Sequence, residues 1–201
     1  MKNPFKTKKI KDDLSDTTKI SLSALLIAVF FVNNRFLAVR LPFATVSLAI
    51  ITVMFAAFVM GWRWAAVVAG VSEMLAALLV PVGGSWWPEV TLGWIFAGII
   101  FGLFLHRSRN KSDIVLLMNL VISSLIVYVG VHLFYMSAVF YGRTSMPFWG
   151  FWGYRAAPFF AMMCIQIAIS FPLFKFLRDP IDRFLVLDDD FDNENIAEES
   201  A

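Results

Sequence analysis

A single cysteine, Cys164, and two histidines, His106 and His132, are all that this 201-residue chain offers of the commonest metal-binding and redox side chains. One cysteine excludes an intrachain disulfide and any cysteine-based metal site of ordinary spacing, and its plain reading is a small apolar residue in a helix. Charge is scarce too. Asp, Glu, Lys and Arg make up 16% of the chain, against about 25% in a soluble domain. The net charge of +2 is too small to suggest nucleic acid as a partner.

Sequence motifs for chemistry are also missing. There is no G-x-x-x-x-G-K-[ST] loop to cradle phosphates, so any ATP must be hydrolysed by a partner. H-E-x-x-H, G-x-S-x-G and C-x-x-C are absent, and the two halves show no repeat of the kind found in many secondary transporters. In the tail, Asp188, Asp190, Asp192 and Glu199 fall at positions 1, 3, 5 and 12 of a calcium loop. Asn193 stands where the turn needs glycine, so a solvated, disordered acidic tail is the better reading. The sequence therefore predicts a carrier or binding subunit, not an enzyme, with no cofactor and no metal.

What the chain has in excess is apolar surface: 59% of its residues are hydrophobic and 16% aromatic. Spanning a hydrocarbon core of about 30 Å takes roughly 20 apolar residues. Six segments approach that length: Ile20–Val39, Ala44–Met60, Trp64–Val80, Val90–Leu105, Ile114–Tyr141 and Trp149–Leu177. The first continues too far to be a cleaved signal peptide. The expectation is an all-α membrane protein of six transmembrane helices, comprising a basic arm (1–19), a membrane domain (20–177) and an acidic tail (178–201).

An even number of spans puts both termini on one side. That side receives Lys2, Lys6, Lys8, Lys9, Lys11, Lys19, Arg63, Arg107, Arg109, Lys111, Lys175, Arg178 and Arg183. Only Arg35, Arg40, Arg143 and Arg155 remain for the other. The positive-inside rule makes the first side cytoplasmic, in a multi-pass protein of the cell membrane.

Ionisable residues within spans are costly, so each asks for a reason. Arg35, Glu73 and Arg155 fall at one depth, roughly 8 to 10 Å below the outer surface at about 1.5 Å per residue. Asn33 and Asn34 lie level with them and His132 slightly deeper. One reading is a cavity open to the outside; the other is a structural ion pair between Glu73 and one of the arginines. His132 alone equally suits an interhelical hydrogen bond. Trp86 and Trp87, behind Gly83-Gly84, and Trp149 and Trp152, at the start of the sixth span, mark the outer rim. They fit either an interfacial belt or a lid that stacks on a planar ligand.

Ala24 and Ala28 on the first span, and Gly98 and Gly102 on the fourth, are small-x-x-x-small pairs. Such faces admit a second helix closely, from within the chain or from another subunit.

These residues carry a resemblance. The stretches Arg35-Phe36-Leu37-Ala38-Val39-Arg40-Leu41-Pro42, Ala69-Gly70-Val71-Ser72-Glu73-Met74-Leu75 and Pro81-Val82-Gly83-Gly84-Ser85-Trp86-Trp87-Pro88-Glu89-Val90-Thr91-Leu92 carry most of it. Gly98-Ile99-Ile100-Phe101-Gly102 and Arg155 followed by Gln166 add to it. The chain resembles the substrate-binding S component of an energy-coupling factor (ECF) vitamin transporter, nearest the folate-specific members. It departs from them at Pro158, where a lysine is usual, and at Glu89, where a small residue is usual. The resemblance implies a vitamin site near the outer face. It also implies docking of Ala24 and Ala28 on a transmembrane coupling subunit, and ATP hydrolysis by two separate ATPase subunits. On this reading Glu73 and the asparagines meet a pterin edge, Arg35 and Arg155 its carboxylates, and aromatic rings its faces. The other readings are an S component for a different vitamin, and a membrane scaffold.

Overall fold

A computed structural model describes residues 14–41, 44–81, 86–109, 111–141 and 147–199. The first helix, α1 (Asp16–Arg35), starts at Ser15, whose hydroxyl accepts from the Thr18 backbone amide at 3.3 Å. Asp16 in the first turn and Arg35 in the last complement the helix dipole. Lys19, Ser23, Leu26, Phe30 and Asn34 recur at helical spacing and are buried. Ala24, Leu25, Ala28 and Val29 occupy the opposite face and are exposed.

The chain does not continue from α1 straight into a second span. Val39–Leu41 (β1) and Ala44–Val46 (β2) form an antiparallel hairpin, with Arg40 opposite Thr45. The expected spans Ile20–Val39 and Ala44–Met60 are both shortened by it. The cause is local: Leu41 precedes Pro42, which disfavours helix, and Val39, Thr45 and Val46 are β-branched. The architecture is otherwise helical.

α2 (Ala49–Met60) has 12 residues and α3 (Trp62–Leu79) has 18, or about 18 and 27 Å. They are joined by Gly61 alone, at φ +82°, a conformation glycine adopts without strain. α2 therefore begins about 9 Å below the level that α3 reaches, and the hairpin fills the difference. Among the described residues, five helices are long and apolar enough to cross a membrane, and α2 is the shorter sixth.

α4 (Pro88–Leu105) packs on α3 so closely that a side chain at Gly98 would meet the Ala65 carbonyl, and one at Gly102 the Trp62 backbone. The small-residue pair of the fourth span is thus spent inside the chain. A short 3₁₀ turn (His106–Ser108) leads to α5 (Asp113–Leu125). A ten-residue π-helical segment (Ile126–Tyr135) and α6 (Met136–Tyr141) continue α5 as one long span.

The last helix, α7 (Phe148–Glu199), contains Pro158, Pro172 and Pro180. Phe174 stacks on Phe58 of α2 at 4.9 Å. At the far end from α3's terminus, Lys175 and Arg178 reach Asp113 at 2.7 and 3.3 Å, tying α7 to the start of α5. The backbone stays helical to Glu199, where composition suggests a disordered tail.

Candidate ligand-binding site

The polar residues toward the hairpin end of the bundle separate into two groups. In the first, Asn34 donates its amide to Glu73 Oε2 at 2.7 Å, and Arg35 Nη2 donates to Glu73 Oε1 at 3.4 Å. Arg35 Nε caps the Ala76 carbonyl on α3 at 2.9 Å. Both charged side chains are about nine-tenths buried. Asn33 turns the other way and donates to Thr52 of α2 at 3.5 Å. Arg35, expected five residues inside its span, is instead the last residue of α1, and its side chain reaches the Glu73 level because α1 stops short. This conformation engages both Glu73 oxygens within the chain.

The second group is aromatic and centres on Arg155 of α7. Arg155 is 6% exposed, and its guanidinium carbon lies 5.0 Å from the Phe159 ring centroid and 5.7 Å from that of Phe140. Such contacts with ring faces are attractive, more so away from water. Its Nη1 donates to the Ser137 hydroxyl at 3.5 Å.

Phe159, one turn further along α7, stacks on His132 of the π segment at 5.8 Å. His132 also meets Trp94 of α4 at 5.6 Å and Tyr128 at 5.4 Å, and Trp94 meets Phe30 of α1 edge-on at 5.0 Å. Trp87 closes the cluster against Phe140 at 5.2 Å. The rings of Trp87, Trp94, His132, Phe140 and Phe159 are each only partly buried, although their neighbours are one another. A flat ligand with an anionic group matches this arrangement: faces for its ring, a buried cation for its charge.

Trp86, Trp149 and Trp152 make other contacts. Trp86 folds back onto α4, its indole N–H donating to Thr91 at 2.9 Å. Trp152 packs against Phe134 and Trp149 at 5.8 and 6.2 Å, and Trp149 is 70% exposed. That cluster has the placement of an interfacial belt.

Sequence reasoning passed over Phe30, Trp94, Tyr128, Phe140 and Phe159. Two were within reach: Tyr128 stands four residues from His132, and Phe159 four from Arg155, the spacing at which helical side chains meet. The contribution of Trp94 depends on how α4 packs.

The fold and this site define a membrane-embedded helical binding protein. The sequence profile of the ECF-type riboflavin transporter S component family matches residues 15–178, and the chain belongs to that family. It is thus a vitamin-binding subunit of an ECF transporter rather than an enzyme, and it works with coupling and ATPase subunits. No curated protein matches the chain. Among solved structures, it is similar to FolT crystallised with folic acid, at 24% identity and a TM-score of 0.70, over 79% of this chain and 93% of that one. An S component of a bacterial ECF transporter matches at 20% identity and a TM-score of 0.47, over 86% and 94% of the two chains.

The Arg35–Glu73 contact generates a prediction about stability. Replacing Glu73 by Gln, or Arg35 by Met, strips a buried charge of its counter-charge and is expected to cost about 3 kcal/mol or more. The double variant should cost less than the sum by about 2 kcal/mol. Unfolding of the four proteins in detergent with increasing SDS measures the cycle, and additive costs would show that the pair is uncoupled.

Proposed function

We propose that this S component captures folate from outside the cell, and that Arg155 holds one of its carboxylates while the ring cluster beside it covers the flat faces of the ligand. Arg155 carries the reading. A guanidinium buried beside two ring faces favours an anionic ligand, and folate is anionic whereas riboflavin is uncharged. The likeness in fold to a folate-bound protein points the same way. The family's own description favours riboflavin, which is the second reading. Under either reading, His132, Trp87, Trp94 and Phe159 contact the ligand's flat face.

Mass spectrometry of small molecules released from the purified, denatured protein should find folate. Arg155→Gln should weaken folic acid binding by about 10- to 150-fold, the loss of a hydrogen bond to a charged group. Riboflavin as the released molecule, or folic acid affinity untouched by the change, would favour the second reading.

The termini are cytoplasmic on this proposal, supported by the thirteen-to-four division of basic residues. The acidic segment 178–201 then lies in the cytoplasm and the segment Pro81–Glu89 outside. A cysteine replacing Ser85 in a Cys164→Ala background should react with an impermeant thiol reagent in intact cells. Reaction only after lysis would invert the topology.

Docking on the coupling subunit is assigned to the exposed face of α1. Ala24 and Ala28 lie there with Leu25 and Val29, while the opposite face is used up by the fold. Close approach of small faces is what drives helix association in lipid. Ala28→Trp should hold the coupling subunit off, abolishing ATP-dependent uptake by the assembled transporter in vesicles while the solitary subunit binds folic acid normally. Loss of both would indicate misfolding, and normal uptake would free this face of any docking role.

A further inference from the structure

The hairpin brings non-helical backbone below the level at which α3 ends. Backbone groups at such depth have no water to bond with and must find partners in the protein. Ser47, the residue after β2, is where the chain turns into α2. Its hydroxyl accepts from the Ala49 amide at 3.3 Å, and its carbonyl accepts from Gln166 Nε2 of α7 at 3.2 Å. Two rulers agree on the depth of this contact: α2 has 12 residues, and 12 separate Gln166 from Arg178 at the inner clasp, each about 18 Å.

We propose that Gln166 and Tyr128 are positioning residues, a one-way hydrogen-bond relay that seats the end of the hairpin against the aromatic cluster and so controls how long a ligand stays bound. The direction of the relay follows from chemistry. A backbone carbonyl only accepts, so the Gln166 amide nitrogen must face Ser47. Its oxygen then faces Tyr128 and accepts a hydrogen bond from the phenolic hydroxyl. Gln166 is 2% exposed, so each of its bonds replaces one that water cannot supply.

At the other end, the Tyr128 ring touches His132 at 5.4 Å and Phe159 at 6.3 Å, two rings beside Arg155. β2 itself packs against α7. Gln166 thus joins three elements, α7, the π segment and the hairpin end. Arg155 precedes it by 11 residues on α7, about 16 Å. A group that far down the helix acts on a ligand at Arg155 through the rings and the hairpin.

The effect on ligand retention rests on reading the ring cluster as the vitamin site; the seating of the hairpin does not. Gln166→Met keeps length and volume and removes both bonds. Amide hydrogen exchange of the segment 39–50, followed by mass spectrometry on ligand-free protein in detergent, should quicken about ten-fold, as for one lost hydrogen bond. Exchange in α3 should not change. Folic acid should dissociate about ten-fold faster with its association rate unaltered. Tyr128→Phe, which removes one hydroxyl and keeps the ring, should move both readouts the same way by less. Unchanged exchange of the hairpin in Gln166→Met overturns the relay, and Tyr128→Phe decides it alone if the methionine variant is not recovered folded. Failure of the unsubstituted protein to bind folic acid would refute the choice of vitamin and leave the exchange result to judge the relay.

Discussion

The bilayer core offers no water, so every polar group at membrane depth must be answered by another group of the same chain or by a ligand. Most of what is particular to this protein follows from that demand. α1 ends early and leaves Arg35 at the level of α3, where Glu73 and the Ala76 carbonyl receive it. The hairpin descends and leaves the Ser47 carbonyl to be met, and Gln166 meets it. Neither arrangement is needed merely to span a membrane. Both support a stretch of irregular backbone at the hairpin end of the bundle, of the sort tolerated only where it is buried in protein or borders a cavity.

The π-helical segment belongs to the same solution. It occupies the middle of the long fifth span, between α5 and α6, and carries Tyr128, His132, Phe134 and Tyr135. Tyr128 and His132 face Phe159 of α7, Phe134 faces Trp152, and Tyr135 donates to the Glu89 carbonyl at the start of α4 at 2.9 Å. One irregular segment therefore meets α4, the ring cluster and the outer aromatic belt at once. Such segments are often found where a helix serves a site rather than only a core.

The spans were legible in the sequence because length and apolarity decide them: five of the six long apolar runs appear as long helices, four of them within a few residues of their expected limits, while α7 runs on past Leu177 to Glu199. The second run was misread because hydropathy does not distinguish an apolar strand from the start of a helix. Its clue lay in Pro42 and the β-branched residues around it. In the site, the charged groups were visible as oddities in apolar runs, and Arg155, Glu73 and Arg35 were singled out on that ground, whereas the hydroxyls of Ser137 and Tyr128 were not. Their grouping was not visible. Helical spacing says which residues share a face, but only packing between helices puts Glu73 with Arg35 and Asn34, and Arg155 with Phe140 and Ser137. Trp94 and Phe30, apolar residues in apolar helices, gave no signal.

On the docking proposed above, α1 connects these groups to the coupling subunit. One of its faces holds Asn34, with Arg35 just beyond, on Glu73, and Phe30 on Trp94, so it braces the ion pair and one wall of the ring cluster. Its other face, with Ala24 and Ala28, is left uncovered. A helix bonded from end to end moves as a rod over such distances, since packed interiors transmit displacement with little give. A shift imposed on the uncovered face is therefore felt at Phe30 and Asn34, about nine and fifteen Å from Ala24 along the axis. Site and free surface need no separate linkage between them, because they are two sides of one helix.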